Sequence, residues 1–196
     1  MLLEGIFQER YAIPILRYIY IAKEGCNISE VSRNLKITKS VVFRTLSRLE
    51  EKNILISFSK GMRKIFKINY SNFFVKKTVQ GLFEMENRLI DELKKEITEK
   101  FKSRNFLSVI LYGSFGTPKF SFSSDIDLMI IAGRENKAKE AEKATKYFFE
   151  KGIIIFADVL PLKEFEKLHR LNEPLIKKVI ETGIILSGKH PLELIR

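Results

Sequence analysis

The chain has very little cysteine. Cys26 stands alone among 196 residues, so no internal disulfide can form. No apolar run is long enough to span a bilayer. The first ten residues lack the basic-then-apolar layout of a signal peptide. Together these absences lead us to expect a cytoplasmic protein with no membrane partner. There are only two histidines, His169 and His190. Neither has metal-ligand spacing, so both are expected to be surface or packing residues. Cys26 has no neighbouring histidine and is expected to fill a core or a turn. No internal repeat and no disordered tract is visible.

What is abundant is positive charge. The net charge is +11, and it is uneven. Residues 1–70 hold 13 Lys/Arg against 6 Asp/Glu, residues 71–103 hold 7 against 6, and residues 104–196 hold 15 against 12. The surplus sits at the N-terminal end. That points to a polyanion partner for that end, whereas a general lysine bias would spread the charge.

The most informative stretch runs from Leu111 to Ile131. Phe106–Tyr112 reads as a short buried strand. Gly113 then permits a sharp turn and a close approach of backbone to ligand. Ser114 adds a hydroxyl, and successive amides in such a turn make a concave anion site. Ten residues on, Asp125 and Asp127 open a second apolar run. Two apart on a strand, they leave the same face with Cα atoms roughly 6.6 Å apart, while Ile126, Leu128 and Ile130 face the core. That spacing suits two carboxylates holding one divalent ion or a pair. Residues 152–161 read as another buried strand in which Asp158 is the only charge. A lone buried carboxylate is costly unless paired or bound to a cation. With Asp158 as third ligand, three carboxylates can carry two Mg2+ or Mn2+ ions that clamp the attacking and leaving oxygens at phosphorus.

Gly113-Ser114, ten residues, Asp125-x-Asp127 and a later strand-borne Asp158 together resemble the polymerase-beta-like nucleotidyltransferase superfamily, in its minimal prokaryotic members. The resemblance covers about residues 104–196. It implies that Gly113 and Ser114, with Thr117 and Ser124, hold a nucleoside triphosphate, ATP by expectation. It further implies that Asp125, Asp127 and Asp158 are catalytic and bind the metals, with Asp158 activating the acceptor hydroxyl. Many members carry a second glycine five residues after the first. Here Pro118 stands at that place, and a glycine comes early, at Gly116.

Upstream, helical spacing spans residues 8–23, with Pro14 able to shift the start. Asn27 with Glu30 looks like a cap opening Ile28–Leu35, and Thr38 caps a helix over 39–52. Strands over 54–59 and 63–70 flank Lys60-Gly61. Three helices and a basic hairpin resemble winged helix-turn-helix transcription factors. In the third helix Val42, Leu46 and Leu49 form the buried stripe. Lys39, Ser40, Arg44 and Arg48 lie off it, and Lys60, Arg63 and Lys64 charge the wing. These seven are the candidate contacts to double-stranded DNA.

Residues 71–103 read as one long helix, kinked near Gly81. Val79, Phe83, Ile90, Leu93 and Ile97 make a stripe that Glu86 interrupts. It serves either as a homodimer seam or, the favoured reading, as packing against the second domain. Helices are expected over 135–151, 162–169 and 173–182, with a closing strand over 183–187. The expected architecture is α+β: a winged helix-turn-helix over 1–70, a linking helix over 71–103, and a nucleotidyltransferase fold of mixed sheet and flanking helices over 104–196. The expected activity moves a nucleoside monophosphate to a hydroxyl of a protein, a tRNA or a small molecule. Minimal enzymes of this resemblance often work in toxin–antitoxin pairs, which favours a protein or tRNA acceptor. The alternative is a DNA-binding regulator whose transferase-like domain only senses nucleotide or mediates dimerisation.

Overall fold

A computed structural model describes residues 4–115, 121, 124–133 and 138–195. It divides into two units, Met1–Arg88 and Leu89–Arg196. Among the described residues no helix is long and apolar enough to cross a membrane.

The first unit begins with α1 (Glu4–Phe7) and α2 (Ala12–Ala22). The helix expected from residue 8 starts at Ala12. Pro14 therefore falls in its first turn, where a missing N–H breaks no helical bond. Ala12, Ile15, Leu16 and Ile19 repeat at helical spacing and are buried. The expected cap of α3 (Ile28–Leu35) is present as a full capping box: Asn27 accepts from the Glu30 amide, and the Glu30 carboxylate accepts from the Asn27 amide. Thr38 takes the N-cap position of α4 (Lys39–Glu51), but its hydroxyl makes no capping bond and lies 3.3 Å from that of Ser40. Val42, Leu46 and Leu49 are fully buried, as their stripe requires.

Strands β1 (Leu55–Lys60) and β2 (Arg63–Ile68) pair antiparallel, from Leu55 opposite Ile68 to Lys60 opposite Arg63. Gly61, at φ +60°, supplies the left-handed residue of the two-residue turn. Cys26 pairs with Phe66 through two backbone bonds of 3.0 and 2.9 Å, adding a one-residue third strand to β2.

The helical stretch after residue 72 comprises α5 (Phe73–Val75), a π-helical turn (Lys76–Gln80) and α6 (Gly81–Lys100). The expected irregularity near Gly81 is this wide turn just before it. The apolar stripe divides. Val79 and Phe83 pack in the first unit's core, and Ile97 packs in the second's. Glu86, which interrupts the stripe, is paired with Arg17 of α2.

The second unit is a mixed four-stranded sheet in the order β5-β4-β3-β6. Its strands are β3 (Phe106–Tyr112), β4 (Ile126–Ala132), β5 (Ile155–Pro161) and β6 (Ile184–Gly188). β3 runs antiparallel to β4 and β6, and β4 runs parallel to β5. A parallel neighbour needs a crossover, and α7 (Ala138–Phe149) lies in that connection. After β5 come α8 (Leu162–Arg170) and α9 (Pro174–Thr182), and after β6 comes α10 (Pro191–Leu194). The sheet is covered on both faces. Val109, Leu111, Ile126, Leu128 and Ile130 pack with Ile97, Phe101 and Phe148, whereas Ile110, Met129 and Ile131 pack with Phe165, Ile176 and Val179. Burial on both faces explains why β3 and β4 read as unbroken apolar runs. Burying each large side chain contributes about 1.5–3 kcal/mol, and Phe101 and Phe148 stack with ring centroids 6.3 Å apart.

One expectation is corrected. The strand carrying Asp158 is not buried. β5 is an edge of the sheet; Phe156 is 55% exposed and Asp158 is exposed. Among the described residues only one side of β5 has a strand neighbour. Asp158 therefore needs no buried partner to be tolerated.

Candidate active site

Strand β3 ends at Tyr112, opposite Asp127 in the β3–β4 register. Gly113 follows at φ +83°. A Cβ placed on Gly113 would stand 2.1 Å from Oδ2 of Asp127. The glycine is thus required twice, by a left-handed backbone and by the carboxylate lying against it. Ser114, half-buried, continues the turn, and Phe115 is buried behind it.

Ile126 and Leu128 are fully buried on one face of the sheet. Asp125 and Asp127 therefore belong to the other, with Met129. Asp125 is exposed just ahead of β4, and Asp127 is half-buried. Asp127 is pushed above the usual carboxylate range. Burial is the main cause, and the charges of Asp125 and Asp158 act in the same direction, against the opposing pull of Lys178 from α9. Asp158 lies opposite Met129 in the parallel register, and so on the same face. Its Oδ2 accepts a hydrogen bond of 2.9 Å from the Tyr112 hydroxyl. Burial, then the Asp158 hydrogen bond and charge, then Asp127, push the phenol well above its ordinary range. Tyr112 therefore remains a protonated donor. Nothing in the spacing of the sequence singled out Tyr112 or Lys178; pairing β3 with β4 and packing α9 on that face bring them in.

The three predicted aspartates thus share one face, and both others act on the charge of Asp127. They are not drawn into a ready-made cluster: among the described residues no three His, Cys, Asp or Glu side chains form a group that could hold a metal. Their donor chemistry nevertheless fits a hard divalent ion. The set is all carboxylate oxygen, and a cation would relieve the repulsion that raises Asp127.

Ser124 is hydrogen-bonded to Ser121. Its Oγ accepts from the Ser121 amide at 3.0 Å, and its own amide donates to the Ser121 carbonyl at 3.0 Å. Thr117, with Gly116 and Pro118, lies outside the described residues.

Residues 95–191 match the family described as Polymerase beta, Nucleotidyltransferase. The matched segment contains all of β3, the Gly113-Ser114 turn and the three aspartates. It supports the superfamily that the motif resembles and a transferase type of domain in this half of the chain. No curated protein matches the chain.

In the first unit, Lys39, Ser40 and Arg44 are exposed on α4, away from the buried stripe, and Lys60 and Arg63 are exposed on the hairpin. Two other candidates are already engaged. Arg48 grips Glu9 with both carboxylate oxygens, at 3.1 and 3.0 Å. Lys64 is 2.8 Å from Glu50 and lies over the Phe66 ring. The Lys64 and Ser57 hydrogen bonds hold Glu50 below the usual carboxylate range. A groove of about 600 Å3 runs between the start of α3 and β2, lined by Asn27, Ser29, Arg33, Arg63 and Lys64 among others. Arg33, in α3, is not among the residues expected from sequence, because it lies outside the helix over 39–52 and the hairpin.

Proposed function

We propose that this chain is a divalent-metal-dependent nucleotidyltransferase that moves a nucleoside monophosphate from a nucleoside triphosphate, ATP in our reading, to an acceptor hydroxyl, with pyrophosphate leaving. The observation that carries it is the seat of Gly113 against the Asp127 carboxylate, inside the segment that matches the transferase family. A Mg2+ or Mn2+ ion on Asp125 and Asp127, with Asp158 as third ligand, would neutralise the phosphate oxygens as phosphorus exchanges partners. The turn at Gly113 can bring backbone amides to the triphosphate without a side chain intervening, and the Ser114 and Ser124 hydroxyls would bind its oxygens. Asp158, on the exposed edge strand, is open to an incoming hydroxyl and can take its proton. A protein side chain or a tRNA end is the acceptor we favour, as a toxin–antitoxin setting would supply.

We further propose that the first unit is a winged helix-turn-helix that binds duplex DNA. Support comes from three helices, a turn of two residues between basic strands, and α4 exposing Lys39, Ser40 and Arg44 opposite its buried stripe.

The deciding experiment incubates the protein with labelled nucleoside triphosphates, Mg2+ and cell extract. A labelled species should form with the natural chain and not with Asp127→Asn. Equal labelling by both, or none by either, would leave the regulator reading in its place.

A further inference from the structure

We infer that Tyr112 is a positioning residue that fixes the orientation of Asp158; the inference deepens the transferase reading and rests on it for its catalytic consequence. β3 and β5 both pair with β4 and not with each other. At ordinary strand spacing they lie roughly 9.6 Å apart. The Tyr112 and Asp158 side chains and the hydrogen bond between them close that distance. The phenol starts on β3 opposite Asp127, passes across β4, and donates to Oδ2 of Asp158 on β5 at 2.9 Å. It thus ties an exposed carboxylate on an edge strand to the end of the strand from which the Gly113 turn springs. An exposed aspartate on an edge strand is otherwise free to change rotamer. The bond commits Oδ2 and leaves Oδ1 for the acceptor.

The geometry makes the phenol more than a strap. A staple between β3 and β5 could be built from any apolar contact. This one ends on an oxygen of the carboxylate that must face the acceptor, and it passes the strand of Asp127 on the way. A group that orients a reacting carboxylate leaves nucleotide binding alone and changes the transfer step.

The test uses the full chain and the variants Tyr112→Phe, Asp158→Asn and the pair combined. Tyr112→Phe keeps the ring and loses only the hydroxyl. We expect its kcat for transfer to fall about 10- to 100-fold with KM for the triphosphate unchanged. In the double variant the loss should equal that of Asp158→Asn alone, because one residue acts through the other. The second readout needs no activity. The carbon resonance of the Asp158 carboxyl, assigned by its disappearance in Asp158→Asn, should shift in Tyr112→Phe. An unmoved resonance, or losses that simply add, overturns the inference. If the natural chain transfers nothing with any triphosphate, the proposed function fails, and the resonance alone decides whether Tyr112 holds Asp158.

Discussion

Gly113 and Asp127 occupy a space that one added methyl group would fill, since a Cβ on the glycine would stand 2.1 Å from the Asp127 Oδ2. Gly113→Ala should cost about 1–3 kcal/mol of stability, from left-handed backbone strain plus displacement of the carboxylate. Removing the obstacle in Gly113→Ala/Asp127→Ala should restore part of that stability, while transfer stays abolished. Denaturant titrations of the two variants check it. Measured against Asp127→Ala alone, the cost that Gly113→Ala still carries reports the φ of +83°.

The raised pKa of Asp127 carries a sign. Folding favours its protonated form, so its contribution to stability is in place below the ordinary value of 3.8 and is lost as pH rises through the raised one. At neutral pH without divalent ions, Asp127→Asn should therefore melt a few degrees higher than the natural chain. The gain should vanish in acid, where both side chains are neutral. Mg2+ or Mn2+ should raise the melting temperature of the natural chain at pH 7 and leave that of the variant unmoved. Thermal scans across pH, with and without the ion, check all three outcomes.

DNA binding should separate two arginines that look equivalent in sequence. Arg44 is exposed on α4, whereas Arg48 is held by Glu9. Arg44→Ala should weaken binding to duplex DNA more than Arg48→Ala does. Glu9→Gln, which releases Arg48, should tighten it. Binding of the natural chain should fall steeply with salt. Fluorescence anisotropy on genomic fragments at low and moderate salt reads these differences, and Arg48→Ala proving the more damaging change would place the contact elsewhere on α4.

Cys26 should be inert in the folded protein. Burial first, and then the charge of Glu30, push its thiol from 9.0 up to about 11. Alkylation by iodoacetamide at pH 8 should be negligible until denaturant exposes the thiol. The folded pKa is the raised one, so the thiol's contribution to stability is complete below pH 9 and is lost as pH rises through 11. Cys26→Ala should remove that alkaline component from the stability profile.

Much of this layout is legible from local chemistry. Asn27 and Glu30 announce their capping box because the bonds lie within three residues. β3 and β4 declare themselves because burial on both faces demands an unbroken apolar run. Asp125 and Asp127 share a face because strand geometry has a period of two. What escapes the sequence depends on partners distant in the chain. Asp158 looked buried because its strand is apolar, and only the strand order reveals an edge. Tyr112 passed for an ordinary strand residue until the register placed it near Asp158. Arg48 passed for a free cation because Glu9 is 39 positions away.

The sheet order has a consequence for how the chain is made. β3, β4 and β5 follow one another in synthesis and lie side by side, so the strands carrying Tyr112, Asp127 and Asp158 can assemble as they emerge. β6 does not follow that rule. Ser187 must return to Val109 after α7, β5, α8 and α9 have all been produced. Until it does, the outer rim of β3 offers unpaired amides and carbonyls to any passing strand. The nascent chain thus carries an open β3 edge after the strands of all three aspartates have been made.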